Sequence, residues 1–169
     1  MFGDIERSRT VAYSAVFIGL ITLGSWISVP ALPVPFTLQT LFVLLAGAVM
    51  KRSAVIPVFL YVILGALGLP LFHNGISGAG VLLGPTGGYL AGFIPAAFIT
   101  GLAYESRSWQ IRICGIALAM ATIYLCGIFW LMYTLDRDFV FAFTTGALPF
   151  LFGDAIKAGA VYLIADRLP

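Results

Sequence analysis

The chain contains 169 residues, of which 61% are hydrophobic and only 9% are charged. A soluble domain has about 45–50% apolar and about 25% charged residues, so this composition all but excludes a water-soluble protein. The 9 Lys and Arg residues are balanced by 7 Asp and Glu without a basic cluster, which argues against nucleic acid as a partner. An aromatic content of 14% excludes disorder. The composition predicts an integral membrane protein of one domain, residues 1–169, embedded in membrane lipid.

Uncharged segments indicate how many helices cross the membrane, because a spanning helix needs about 20 mostly apolar residues. Residues 10–50 and 53–104 contain no Asp, Glu, Lys or Arg, and each segment is long enough for two helices. Clusters of proline and glycine divide both segments near the middle. Two further apolar segments follow, and the last contains Asp154 and Lys157. The sequence predicts an all-α bundle of six transmembrane helices, near residues 10–29, 37–50, 53–69, 86–104, 111–134 and 147–166.

The distribution of positive charge predicts the orientation of this bundle. If the N-terminus lies inside, the outer segments carry only Arg137. The inner segments then carry Arg7, Arg9, Lys51, Arg52, Arg107, Arg112 and Arg167. Lys and Arg are retained on the cytoplasmic side, so both termini should be cytoplasmic and the protein should lie in the cytoplasmic (plasma) membrane. A cleaved signal peptide in residues 1–29 is the alternative, but no A-x-A site follows the apolar stretch, and we keep this helix in the mature protein.

Two loops rich in proline and glycine, 30–36 and 70–85, lie on the outer side in this orientation. Apart from His73 they carry no side chain that could be charged. Irregular backbone within a membrane is tolerated only where it is buried in protein or lines a cavity. We therefore expect both loops to fold over the bundle as lids. A tight turn with an interfacial cap is the alternative.

Polar side chains near the outer ends of the predicted helices lie at a common depth. Thr37 and Gln39 fall in the first turn of the second helix, and Thr86 and Tyr89 in the first turn of the fourth, and we expect all four to belong to a substrate-binding site. Three further aromatic residues reach the same level: Trp26, Trp130 and Tyr133. For each of these three, an interfacial aromatic belt is the simpler interpretation.

The strongest functional signal is the pair Asp154 and Lys157 within the last helix. Each charge at mid-membrane costs about 2.5–3.5 kcal/mol, and the i, i+3 spacing places both on one helix face that should point into the bundle. The carboxylate accepts hydrogen bonds and the ammonium donates three, which suits a cyclic urea or amide. A structural ion pair, or a tie between helices, is one alternative. A proton relay in a proton-coupled carrier of another small vitamin-like solute is the other.

Motifs for catalysis and metal binding are missing from the sequence. The run Gly80–Thr86 is not followed by the Gly-Lys-Ser/Thr of a P-loop, and no Gly-x-Ser-x-Gly is present. One histidine and no Cys/His cluster predict neither a metal site nor a cofactor. Cys114 and Cys126 lie about 18 Å apart on one predicted helix, too far for a disulfide. The sequence predicts that the protein is not an enzyme.

Three runs resemble the BioY family. They are residues 34–40 (Val-Pro-Phe-Thr-Leu-Gln-Thr), residues 84–93 (Gly-Pro-Thr-Gly-Gly-Tyr-Leu-Ala-Gly-Phe) and the Asp154–Lys157 motif. The resemblance covers nearly the whole chain, since length, helix layout and the order of the motifs agree. BioY proteins are the biotin-binding S components of energy-coupling factor (ECF) transporters. The resemblance therefore implies a six-helix S-component bundle that takes up biotin through an outward-facing site capped by loops.

The resemblance also implies roles for individual residues. Asp154 and Lys157 match the residues that hold the ureido ring of biotin in the family, and Tyr89 matches a tyrosine at the same site. Some family members carry an arginine near the biotin carboxylate, whereas residues 74–88 hold no charged side chain here. The carboxylate could instead meet Asn74, Thr86, Tyr89, the backbone N–H groups of the glycine-rich run or His73.

The resemblance implies partner proteins as well. Family members work with a transmembrane coupling subunit and two ATP-binding subunits, although some act without them. A homo-oligomer remains open at this point, as does dependence on the coupling subunits.

Overall fold

The computed structural model describes residues 2–29 and 33–168. Within these residues the chain forms eight α-helices: α1 (Phe2–Trp26), α2 (Gln39–Met50), α3 (Val55–Ala66), α4 (Ala79–Leu83), α5 (Gly87–Glu105), α6 (Trp109–Leu135), α7 (Phe139–Gly146) and α8 (Leu151–Ala165). Short 3-10 turns occupy Lys51–Ala54 and His73–Gly75. Two strands, β1 (Ser28–Val29) and β2 (Phe36–Thr37), pair antiparallel with Ser28 opposite Thr37.

The bundle is helical, as expected, but the helices differ in number and length from the six expected ones. The first helix ends at Trp26 rather than at residue 29, because the chain turns into β1 and pairs with β2. The third ends at Ala66 instead of residue 69, since the next residues form the turn around Gly68, whose φ is 111°. The short helix α4 lies inside the expected outer loop 70–85.

The expected last helix, residues 147–166, differs most from the structure. The helix α8 begins only at Leu151, and the additional helix α7 precedes it with an angle of 54° between them. Pro149 lies in the break, where its missing N–H and fixed φ prevent one continuous helix. At the other end of α7, Asp138 caps the helix by accepting a hydrogen bond from the Phe141 amide at 3.1 Å.

Long apolar helices make this a multi-pass membrane protein. Among the described residues, three segments are long and apolar enough to cross a membrane: Gln39–Ala66, Gly87–Glu105 and Trp109–Leu135. The bent pair α7–α8 adds a fourth if it counts as one span. One hydrogen bond shows that the first segment is not one straight helix: Gln39 Nε2 donates to the Tyr61 hydroxyl at 2.7 Å. A straight helix would separate these residues by about 33 Å, so α2 and α3 fold back on each other.

The ion pairs between helices lie at one end of the bundle. Arg52 binds Glu105 at 2.7 Å, next to the reversal between α2 and α3. Arg112, at the start of α6, binds Asp166, just after the end of α8, at 3.3 Å. Ser25, near the end of α1, instead donates at 2.7 Å to the Leu71 carbonyl in the loop at the opposite end. The start of α1 and the end of α8 therefore both lie at the charged end.

Close contact between α5 and α6 forms the centre of the bundle. A Cβ added to Gly88 would lie 2.2 Å from the Trp130 Cβ, so α5 and α6 touch where glycine leaves room. Gly47 meets Thr100 in the same way where α2 crosses α5. Small residues allow such approach in lipid, where no hydrophobic effect drives helices together. This packing brings the starts of α2, α5 and α8 together at the uncharged end.

Candidate functional site

A cavity lies at the uncharged end of the bundle, under the loop that follows α3. Much of its wall is aromatic and consists of Phe36, Phe72, Tyr89, Phe93, Tyr124 and Phe150. The polar part of its wall consists of Thr37, Gln39, Thr40, His73, Thr86, Asp154 and Lys157. The cavity therefore combines flat apolar surfaces with one cluster of charged and hydrogen-bonding groups.

The charged cluster centres on Asp154 and Lys157, each only 5% exposed. Lys157 Nζ lies 2.7 Å from Asp154 Oδ1, one turn apart on the face of α8 that meets α2. The Thr40 hydroxyl lies 3.3 Å from both, donating to Asp154 Oδ1 and accepting from Lys157 Nζ. Lys157 also donates to the Thr37 carbonyl. All three ammonium protons have partners, which two buried charges require in a dry environment.

Two aromatic residues complete the surroundings of the pair. The Tyr124 hydroxyl donates to Asp154 Oδ2, so both carboxylate oxygens are engaged. The Phe36 ring lies against the ammonium, with its centroid 3.8 Å from Lys157 Nζ, and the negative face of the ring stabilises the positive charge. Phe36 in turn stacks on Phe150 at a centroid distance of 6.0 Å.

Tyr124 was not predicted from the sequence as a candidate site residue. The available signal was a phenol hydroxyl near the middle of the apolar segment 113–135, because a buried tyrosine hydroxyl requires a hydrogen-bond partner. Thr40 belonged to a recognised motif, but its contact with both charges depends on how α2 packs against α8.

Four other expected site residues also line the cavity. Tyr89 presents its ring there, while its hydroxyl donates to the Gly146 carbonyl at 2.8 Å. Gln39 donates through Nε2 to Tyr61. Thr37 contributes its carbonyl to Lys157. Thr86 lies just before α5, where its carbonyl accepts from the Tyr89 amide at 3.2 Å.

Asn74 is not part of the cavity wall, in contrast to its suggested place beside a ligand carboxylate. Its side chain is exposed, and its Oδ1 accepts a hydrogen bond from Ser28 Oγ at 2.7 Å. The neighbouring His73 does line the cavity. Its partial burial lowers the pKa of the His73 imidazole below the ordinary value of 6.5, because the charged form is less well solvated.

The loop after α3 covers the cavity as a lid, as expected for residues 70–85. Phe72 is 1% exposed and packs edge-on against the Tyr61 ring at 5.6 Å. Trp26 Nε1 donates to the Pro70 carbonyl at 3.2 Å, and Trp130 Nε1 to the Gly84 carbonyl at 2.9 Å. These two tryptophans thus bind the loop rather than serving only as an interfacial belt. In the other expected lid, 30–36, residues 30–32 lie outside the described part of the chain.

The apolar helices define a multi-pass membrane protein, and the buried pair in an aromatic cavity is its candidate internal site. The family model described as "BioY family" matches residues 3–169, and the chain belongs to this family. The resemblance found in the sequence is thereby confirmed, and membership places the chain among transporters rather than enzymes.

Individual relatives are similar over almost their whole length. The protein named "Biotin transporter BioY" of Thermotoga maritima is 44% identical over 164 residues, which cover 95% of each chain. The "Probable biotin transporter BioY" of Pyrococcus horikoshii is 39% identical, covering 96% of this chain and 97% of the relative. A crystal structure of "the S-component for biotin from an ECF-type ABC transporter" superposes with a TM-score of 0.86 at 26% identity, covering 96% of this chain and 91% of that one.

Proposed function

We propose that this protein is a biotin-binding S component that takes biotin up across the cytoplasmic membrane. The observation that carries the proposal is the buried Asp154–Lys157 pair within an aromatic cavity. The relatives and the solved structure described above are all named for biotin, which supports the same ligand for this chain.

The ureido ring of biotin matches the charged cluster chemically. One ring N–H donates to the Asp154 carboxylate while the ring carbonyl accepts from the Lys157 ammonium. The ring replaces contacts that the two charges otherwise make with each other and with Thr40. Hydrogen bonds to charged groups contribute about 1.5–3 kcal/mol each, and a water-excluded site strengthens them. The apolar remainder of the bicyclic ring packs against the aromatic wall.

Calorimetric titration of the purified protein in detergent tests the ligand. Biotin should bind, whereas thiamin and riboflavin should not, because neither presents a cyclic urea of this size. Asp154→Asn should abolish binding of biotin. Asp166→Asn is the matched control on the same segment, since Asp166 lies at the opposite end of the bundle in an exposed ion pair with Arg112. Equal binding of thiamin, or no binding of biotin by the unaltered protein, would contradict the proposal.

We infer six membrane crossings, with both termini in the cytoplasm. The fold-back of α2 on α3 supports two crossings in the segment 39–66, and the concentration of Arg residues at the end that holds both termini supports the orientation. A variant with Cys114 and Cys126 replaced by serine provides the background for labelling. Arg107→Cys should react only from the cytoplasmic side and Asp138→Cys only from outside. The reverse pattern would overturn the orientation.

The partners follow from the same proposal. We infer that the protein associates with a transmembrane coupling subunit and two ATP-binding subunits, which the ECF-type neighbour supports. Liposomes containing this chain alone should bind biotin but accumulate it only when the coupling subunits and ATP are added. Accumulation driven by a pH gradient with this chain alone would contradict the inference.

A further inference from the structure

Tyr61 links the wall of the cavity to the loop that covers it. This residue of α3 is 0% exposed and is not among the residues that line the cavity. Its hydroxyl accepts a hydrogen bond from Gln39 Nε2 at 2.7 Å and donates one to the Leu71 carbonyl at 2.8 Å. Gln39 lies in the cavity wall, and Leu71 directly precedes the wall residues Phe72 and His73.

The two contacts of the hydroxyl determine which way the Gln39 amide faces. The Leu71 carbonyl can only accept a hydrogen bond, so the Tyr61 hydroxyl is the donor across the 2.8 Å that separates them. The same carbonyl also accepts from Ser25 Oγ at 2.7 Å, and Ser25 has a second acceptor in the Thr22 carbonyl at 2.7 Å. The amide atom 2.7 Å from the hydroxyl must then be a donor, which is Nε2 and not Oε1. Within the described residues, Oε1 accepts no hydrogen bond, and it is the acceptor that Gln39 can offer to a ligand.

We propose that Tyr61 is a positioning residue that holds Gln39 as a hydrogen-bond acceptor, so that the site recognises the second N–H of a cyclic urea. This inference rests on the proposed function. Together, Asp154 and Gln39 provide two acceptors, and Lys157 provides a donor. This pattern complements the N–H, C=O and N–H groups of a ureido ring, one group for each side chain.

The arrangement discriminates through the cost of an unpaired polar group. A ligand whose second nitrogen carries no hydrogen would leave Gln39 Oε1 without a donor in a dry site. Rotation of the amide would place Oε1 against the Tyr61 oxygen, and Tyr61 could then donate to Gln39 only by giving up its bond to the Leu71 carbonyl. Tyr61→Phe removes this restriction and changes no atom of the cavity wall.

Two biotin analogues, each methylated on a different ureido nitrogen, test the inference. Calorimetric titration gives the affinity ratio between biotin and each analogue for the unaltered protein and for Tyr61→Phe. We expect the ratio to fall by about 10-fold for one analogue only, since discrimination against the other depends on Asp154. Each analogue brings the same methyl group to the unaltered protein and to Tyr61→Phe, so steric effects of the methyl group cancel. A change in the affinity ratio between the two proteins therefore reports the hydrogen bond to Gln39.

The matched control is Tyr104→Phe, because the Tyr104 hydroxyl is also buried but has no hydrogen-bond partner among the described residues. This control should leave both ratios unchanged. Gln39→Leu, which removes the acceptor itself, should reproduce the loss for the same analogue. Adding Tyr61→Phe to Gln39→Leu should then have no further effect on that ratio. This double variant tests the coupling between the two residues independently of Tyr61→Phe alone.

Three outcomes would overturn the inference. Unchanged affinity ratios in Gln39→Leu would show that the site does not recognise the second ureido N–H of biotin through Gln39. An unchanged ratio in Tyr61→Phe, or a loss that adds fully to that of Gln39→Leu or affects both analogues equally, would show that Tyr61 does not act through Gln39. Absence of biotin binding by the unaltered protein would overturn the proposed function and this inference together, whereas the other two outcomes leave the proposed function intact.

Discussion

Asp154 and Lys157 form a buried ion pair within a single turn of α8, with Oδ1 and Nζ 2.7 Å apart. Both side chains line the cavity. Asp154 also accepts a hydrogen bond from Thr40 of α2, and Lys157 donates one to the Thr37 carbonyl just before α2. The pair therefore neutralises two charges within the bundle, and under the proposed function a ligand replaces the contacts of the two charges with each other and with Thr40.

Breaking the pair on one side should destabilise the ligand-free protein more than removing both charges. Lys157→Met leaves an uncompensated carboxylate, which costs about 3–5 kcal/mol, whereas replacing a buried pair by apolar residues of similar size is often close to neutral. Thermal unfolding in detergent should rank the double variant Asp154→Leu/Lys157→Met above Lys157→Met. Both variants should fail to bind biotin. A double variant less stable than Lys157→Met would contradict this account.

Removing the Tyr124 hydroxyl should weaken biotin binding through Asp154. In Tyr124→Phe, Asp154 Oδ2 no longer accepts the hydrogen bond from the Tyr124 hydroxyl, so the carboxylate is held only through Oδ1, by Thr40 and Lys157. We expect the dissociation constant for biotin to rise by about 10- to 100-fold. Tyr133→Phe on the same helix is the control, because Tyr133 is 80% exposed and should leave the affinity unchanged. Equal affinities for the two variants would exclude a role for Tyr124.

A methyl group at Gly127 should displace the ring of Tyr89. A Cβ there would lie 2.2 Å from Tyr89 Cε1, so the ring must move, and we expect this to weaken the bond of its hydroxyl to the Gly146 carbonyl. Gly127→Ala should lower both the unfolding temperature and the affinity for biotin. Gly159→Ala is the control, because its added Cβ meets no described atom within 4 Å and alanine favours the helix. Full biotin affinity in Gly127→Ala would contradict the position of Tyr89.

Acidification should destabilise the protein through His73. The folded state lowers the pKa of His73 below its ordinary value of 6.5, so the unfolded state binds the proton more tightly. The stability that neutral His73 contributes is complete above pH 6.5 and is lost as the pH falls below that value. The unfolding temperature should therefore drop between pH 7.5 and pH 5.5, and the drop should be smaller in His73→Gln. An identical drop in the unfolding temperature of the unaltered protein and of His73→Gln would show that other titrating groups cause it.

Much of the site could be predicted from the sequence because it depends on spacing within one helix. The i, i+3 separation of Asp154 and Lys157 places them on one face wherever α8 lies, and their charge requires burial against protein rather than lipid. The starts of the helices near Thr37, Gln39, Thr86 and Tyr89 follow from the proline- and glycine-rich runs before them. The apolar segments likewise predicted a multi-pass helical protein, and the three sequence motifs indicated its family.

Other features depend on contacts between segments that are distant in the sequence. Tyr124 reaches Asp154 because glycines let α6 pack closely against α5. The hydrophobic pattern of α6 alone does not indicate which of its faces meets Asp154. Asn74 binds Ser28 instead of facing the cavity because the loop after α3 is bound to α1. The direction of α8, which carries Asp154, depends on the bend that follows α7. The end of α7 is in turn held against α5 by the hydrogen bond from the Tyr89 hydroxyl to the Gly146 carbonyl.

The sequence by itself thus determined the class of protein, the order of its apolar segments and the charged pair, because hydropathy and helical spacing are local properties. Only the tertiary structure decided which groups surround that pair, that α2 folds back on α3, and that Tyr61 restricts the Gln39 amide. These depend on the rotation and separation of neighbouring helices, which the packing of small residues and hydrogen bonds across the whole bundle determines.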